Sequence, residues 1–283
     1  MDSEFYIVSR KQDVRLALTQ EQFKELKRAR KRLSSAYAIS HKHRLVLSNY
    51  KLILEAMRSL GEQYARQDDI KAIEDGKARL NANINNYVLS ARIFTSQLKR
   101  HVQTCVPQDR ELVNVLSRKM ESEYKRSFAF RFIDSLYDYV AHYGLSIHTI
   151  KMKTEMKQND AGLFERLYYI NAFIEKDYIG GPAEFRASVF DEVSGTLDLI
   201  KMLTTFNQSL KRLHDQAMEL IQDVFVKANE LVNEFIGVFV SEYGNEHANL
   251  FVVHGTRMSS DKVYDTFPIS MYVNNHNFGR EYV

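Results

Sequence analysis

Three prolines and eleven glycines in 283 residues leave this chain few places at which a helix must stop. Proline removes a backbone donor and clashes with the preceding turn, and glycine weakens a helix through backbone entropy. Their scarcity predicts long, uninterrupted helices. Hydrophobic residues make up 45% and charged residues 27%, enough to bury a core and still present a solvated surface.

Hydrophobic spacing places the helices. Thr19 followed by Gln22 is a capping-box signature, so a helix is expected to start there. Leu26, Ala29, Leu33, Ala36 and Tyr37 fall on one face of its wheel, and the pattern continues through Leu47, Tyr50, Leu54, Met57 and Leu60, with a bend expected near His41–Arg44. A second helix, about 70–104, is carried by Ile73, Leu80, Ile84, Tyr87, Ala91, Phe94 and Leu98 and stopped by Pro107. Its Asn81, Asn83, Asn85 and Asn86 are poor helix formers and point to side-chain hydrogen bonds. Further helices are expected over 109–124, from Ser127 to Gly144, and from about Ser194 to Gly244.

Residues 4–8 read as a short extended stretch. Alternation in IHTIKMK and RLYYINAFI, before Gly180-Gly181-Pro182, predicts an extended or hairpin insertion over about 146–190. The last forty residues read as an irregular tail. The expected architecture is all-α: a single helical domain over 1–283, a bundle of long helices with one inserted arm.

Composition bounds the compartment and the chemistry. Cys105 is the one cysteine, which excludes an internal disulfide framework and fits a reducing, cytoplasmic setting. The N-terminal MDSEFYIVSRKQD has no apolar core of a signal peptide, and no run of about 18 uncharged apolar residues is present. P-loop, GxGxxG, GxSxG and HExxH patterns are absent. His41 and His43, two apart on a helix, point about 200° from each other and cannot chelate locally. No metal or cofactor is expected.

Charge is unevenly placed. Residues 10–44 hold eleven Lys or Arg against Asp13, Glu21 and Glu25, a local +8 in a chain whose total is +3. Lys24, Lys27, Arg28 and Lys31 share the helix face opposite the apolar one. They are candidate contacts to a phosphate backbone, which needs cations but no sequence readout. A solvated outer face, partly balanced by Glu21 and Glu25, is the other reading.

The segment RSFAFRFIDSLYDYVAHYGLSIHTI, residues 126–150, has an apolar face (Phe128, Phe132, Ile133, Leu136, Tyr139, Val140, Tyr143) and a narrow polar stripe (Arg131, Asp134, Asp138, His142). Asp138 and His142 are four apart and can touch. A carboxylate beside an imidazole raises its pKa and fixes its orientation, as a general acid or base requires. Solvated surface pairs show the same spacing. The six aromatics from Phe128 to Tyr143 (Phe128, Phe130, Phe132, Tyr137, Tyr139, Tyr143) predict a homodimer paired over 127–145.

LYDYVAHYGL, Leu136 to Leu145, resembles the motif segment of HEPN-type helical proteins, many of them metal-independent ribonucleases of bacterial defence and toxin–antitoxin systems. The family motif, Arg-x4-His, places its His at His142, its adjacent polar residue at Asp138 and its glycine at Gly144. The position of its Arg is Tyr137. In-line attack by a 2′-hydroxyl needs proton transfer and a cation at the phosphate, which Arg supplies and Tyr cannot. Arg131, eleven residues from His142, is roughly 16 Å away along the helix and is no substitute. The resemblance therefore implies a degenerate, RNA-associated member with Tyr137, Asp138 and His142 as its relict site, unless a second subunit supplies the Arg. A non-enzymatic scaffold that docks protein partners is the alternative.

Overall fold

The fold is described from a computed structural model, which covers residues 3–9, 12–158, 160, 162–179, 185–244, 249–256, 263–269 and 272, with backbone alone for 12 and 13. Arg10 and Lys11 of the basic segment, Gly180-Gly181-Pro182 and parts of the last forty residues lie outside the described residues.

The expectation of an all-α chain is overturned. The chain is 69% helical, but among the described residues seven strands, 20% of the chain, form two antiparallel sheets, and the class is mixed α and β. The elements in order are β1 (Ser3–Ser9), β2 (Gln12–Leu18), α1 (Gln20–Arg66), α2 (Ile70–Cys105), α3 (Arg110–Arg126), α4 (Phe128–Tyr143), β3 (Thr149–Gln158), β4 (Phe164–Glu175), a short 3-10 turn (Lys176–Tyr178), α5 (Ala187–Glu192), β5 (Thr196–Asp198), α6 (Leu199–Tyr243), β6 (Leu250–Thr256) and β7 (Val263–Pro268). Among the described residues no helix is long and apolar enough to cross a membrane.

The chain divides into two compact units. One comprises Met1–Ser40, Leu98–Asn114 and Gln216–Val283, the other His41–Gln97 and Val115–Asp215.

In the first unit the sheet order is β2-β1-β6-β7, so strands from opposite ends of the chain pair, Tyr6 opposite Val253 and Ile7 opposite Val252. Ile7, Leu250, Val252 and Phe267 form one core with Phe23, Leu26, Ala29 and Leu33 of α1 and Ala228, Val232 and Phe239 of α6. Each large side chain so buried contributes roughly 1.5–3 kcal/mol. The capping box is in place at the start of α1: Thr19 N–H donates to Gln22 Oε1 at 2.8 Å, and Gln22 N–H to Thr19 Oγ1 at 3.2 Å. Cys105 is buried, its Sγ 3.5 Å from the carbonyl of Arg32.

In the second unit Tyr87, Phe94, Phe132 and Phe206 are buried. The Tyr87 hydroxyl, pushed well above its usual pKa by burial, donates to Asn207 Oδ1 at 2.7 Å. Glu123, 1% exposed, accepts bidentate hydrogen bonds from Arg212, two at 2.9 Å, and further ones from Arg126. The sheet order is β3-β4-β5, and the β3–β4 hairpin lies within the segment whose alternation predicts extended structure. Gly61 of α1 admits the β4 backbone: a Cβ there would lie 3.2 Å from the carbonyl oxygen of Tyr168.

Candidate nucleic-acid interface

Helix α4 is bounded by two caps. Ser127 Oγ accepts from Phe130 N–H at 3.2 Å, and Gly144 adopts φ 65°, with its N–H donating to the carbonyl of Val140 at 2.8 Å. Asn81 and Asn85 Nδ2 donate to the Gly144 carbonyl at 2.8 and 2.7 Å, and Asn81 Oδ1 accepts from Ser146 N–H at 2.8 Å. Two of the asparagines that weaken α2 as a helix thus tie down the chain that leaves α4.

His148 follows. Its Nδ1 accepts from Glu175 N–H at 3.1 Å, which places the neutral ring's proton on Nε2, 3.1 Å from the Tyr139 hydroxyl. That hydroxyl donates to the carbonyl of Tyr178 at 3.0 Å. Burial lowers the His148 pKa, in keeping with this neutral tautomer.

The polar stripe of α4 does not pair as its spacing suggests. Asp134 is held by Arg92 of α2 at 2.5 Å and by Arg186 at 2.7 Å. Arg131 binds Glu192 and donates to the carbonyls of Tyr124 and Lys125, closing the C-terminus of α3. No hydrogen bond or ion pair among the described residues joins Asp138 to His142. His142 is exposed, while Tyr137 and Asp138 are half-buried. The Tyr137 ring lies under the Arg92 guanidinium, 5.5 Å from its centroid. The eight residues from Asp134 to His142 span about 12 Å along the axis, so the cations gather a helix turn or more from the imidazole. Of the six aromatics, Phe130, Phe132 and Tyr139 are buried within the chain.

The basic face of α1 divides. Lys27 pairs with Asp265 at 2.6 Å, Arg28 with Glu21 at 2.9 Å, and Lys24 lies 4.0 Å from Glu21. Lys31 has no carboxylate partner among the described residues. It lines a groove of about 310 Å³ with Arg28, Arg32, Arg100, Gln103, Thr104 and Pro107. Four cations and no acid line this groove, and Arg32 and Arg100 also lack carboxylate partners among the described residues. A neighbouring groove, about 400 Å³, shares Arg28 and Arg32 and adds Lys227 and Glu25. Reading the sequence missed Arg32, although it stands four residues after Arg28. Arg100 and Lys227 come from other helices, and nothing in the spacing of α1 announces them.

Among the described residues no cluster of three His, Cys, Asp or Glu could hold a metal ion. Comparison of the chain with protein-family models, curated proteins and solved structures finds no match.

Proposed function

We propose that this protein binds nucleic acid, RNA in first place, through the groove that Arg28, Lys31, Arg32 and Arg100 line, and that its α4 motif is a relict that does not cleave. The observation that carries the reading is the groove's lining of four cations without an acid. Such a surface holds successive phosphates by charge and releases their counterions, without reading sequence. The short HEPN-like motif favours RNA and a bacterial defence or toxin–antitoxin setting, in the cytoplasm. Tyr137 in the position of the Arg, and Arg92 and Arg186 engaged by Asp134, argue against catalysis at His142.

The test is the salt dependence of binding to a fluorescent single-stranded RNA and to duplexes of unrelated sequence. With Arg28 already paired to Glu21, three phosphates neutralised on a single strand give a log–log slope of about −2. Affinity that differs strongly between sequences, or does not fall with salt, would count against the reading.

A protein-docking role is the second reading, and the exposed apolar side chains of the β3–β4 hairpin favour it.

A further inference from the structure

Strand β3 is an edge strand ten residues long, hydrogen-bonded to β4 on one side and, among the described residues, to no strand on the other. From Lys151 to Gln158 every residue is exposed, so the outer half of the hairpin is bare on both faces. The β3–β4 register sorts its side chains. Met152, Thr154, Met156 and Gln158 stand opposite Ile170, Tyr168, Arg166 and Phe164 on one face, and Lys151, Lys153, Glu155 and Lys157 stand on the other. Met152, Met156 and Phe164 are 46%, 58% and 69% exposed. Lysines on an edge strand ordinarily discourage pairing. Here Glu155 interrupts them, and its place in the row makes the strand complementary to itself.

We infer that β3 pairs antiparallel with β3 of a second copy of this chain, in a register centred on Lys153. Antiparallel strands keep their faces together only in registers that set odd residues against odd and even against even. Among these, centring on Lys153 sets Lys151 against Glu155 twice and Ile150 against Met156 twice. Its one like-charge pair is Lys153 with itself, and each Lys153 carries its own Glu155 at 2.5 Å. Centring on Thr154 exchanges the Lys153 self-pair for two Lys151–Lys157 clashes, centring on Met152 sets Lys151 against Lys153 twice, and centring on Glu155 sets Glu155 against itself. Centring on Met156 avoids like charges but pairs only residues 154–158, against 149–157 for Lys153. Opposite charges directly across a strand pair stabilise it and like charges oppose it. Strand β4 offers a poorer site, because β5 pairs with Phe173–Glu175 and the α1 backbone at Gly61 approaches the Tyr168 carbonyl. The partner is therefore a second copy, and the product is a four-stranded ribbon with a two-fold axis at Lys153.

Sedimentation equilibrium at tens of micromolar protein tests the inference. The wild type is expected at twice the 33.1 kDa chain mass. Glu155→Lys, which faces Lys151 of the partner subunit, should sediment as a monomer. The exchange Lys151→Glu with Glu155→Lys restores opposite charges across the axis and should return the dimer. A monomeric wild type overturns the inference. So does a dimer indifferent to Glu155→Lys, or an exchanged variant that is monomeric with a wild-type circular dichroism spectrum.

Discussion

Lys27 of α1 stands 2.6 Å from Asp265 of β7. This ion pair removes one cation from a stripe that the sequence presents as continuous, and leaves Lys31 as its one member without a carboxylate partner among the described residues. On the proposed reading, phosphate contact falls to Lys31 together with Arg32 and Arg100. Lys27→Ala is expected to change RNA affinity less than about threefold, whereas Lys31→Ala should weaken it severalfold, about one phosphate contact's worth. Anisotropy titrations of the two variants side by side decide the point; equal losses would show that the stripe acts as one surface.

Tyr137→Arg restores the residue the resemblance lacks, but it sets a second guanidinium where Arg92 already lies over the ring. Loss of the cation–π contact and repulsion between the two charges should lower stability by about 1 kcal/mol. No ribonuclease activity is expected. Cleavage that appears in Tyr137→Arg and disappears when His142→Ala is added would instead show that the ancestral geometry survives.

Glu123 is 1% exposed, and hydrogen bonds from Arg212 and Arg126 hold its carboxyl down, at about 2, against the burial that opposes them. A depressed carboxylate pKa gives stability that is present above the unfolded value, near 4.5, and lost as pH falls toward about 2. Glu123→Gln keeps neutral hydrogen bonds to Arg212, which is 39% exposed and retains access to water, and should cost about 1–3 kcal/mol in urea unfolding.

His43, 7% exposed, stacks on His214 with ring centroids 4.4 Å apart, and its Nε2 has no hydrogen-bond partner among the described residues. Burial first, then the nearby His214, lowers its pKa from 6.5 to about 4. The unfolded chain therefore binds this proton first, and stability present above pH 6.5 is lost as pH falls toward 4. The loss amounts to about 3 kcal/mol at most. His43→Phe keeps the stack and should flatten the stability profile across that window; an unchanged slope would contradict the assignment.

Much of the helical framework was legible because its signals are local. The Thr19–Gln22 box, the Ser127 cap and the Gly144 turn each involve residues within one turn of one another, and each is formed. The sheet of β2, β1, β6 and β7 was not. Each strand is six or seven residues long, and β1 meets β6 across the whole length of the chain, so no window of sequence contains the pairing. The long first helix was legible too, since α1 runs unbroken from Gln20 to Arg66 through His41–Arg44. The candidate site was legible where the cations share α1. It was hidden where Arg100 and Lys227 enter from α2 and α6, and where Asp265 and Asp134 draw cations away through tertiary contacts.

Cys105 is buried, and burial pushes its thiol up to about 12, so the reactive thiolate is scarce at neutral pH. Alkylation by iodoacetamide should follow unfolding, with no labelling of the native protein over hours. Prompt labelling of the native protein would show that the helices around it open readily.

The measurement nearest the central claim is the RNA affinity of Lys31→Glu/Arg32→Glu/Arg100→Glu against wild type across a salt series, with circular dichroism confirming equal folding. Reversing three cations of one groove should lower affinity at least about 100-fold at low salt and flatten the log–log slope by about two units, alike for every RNA sequence. A folded triple variant that binds with wild-type affinity and slope would contradict the assignment of this groove to the phosphate backbone.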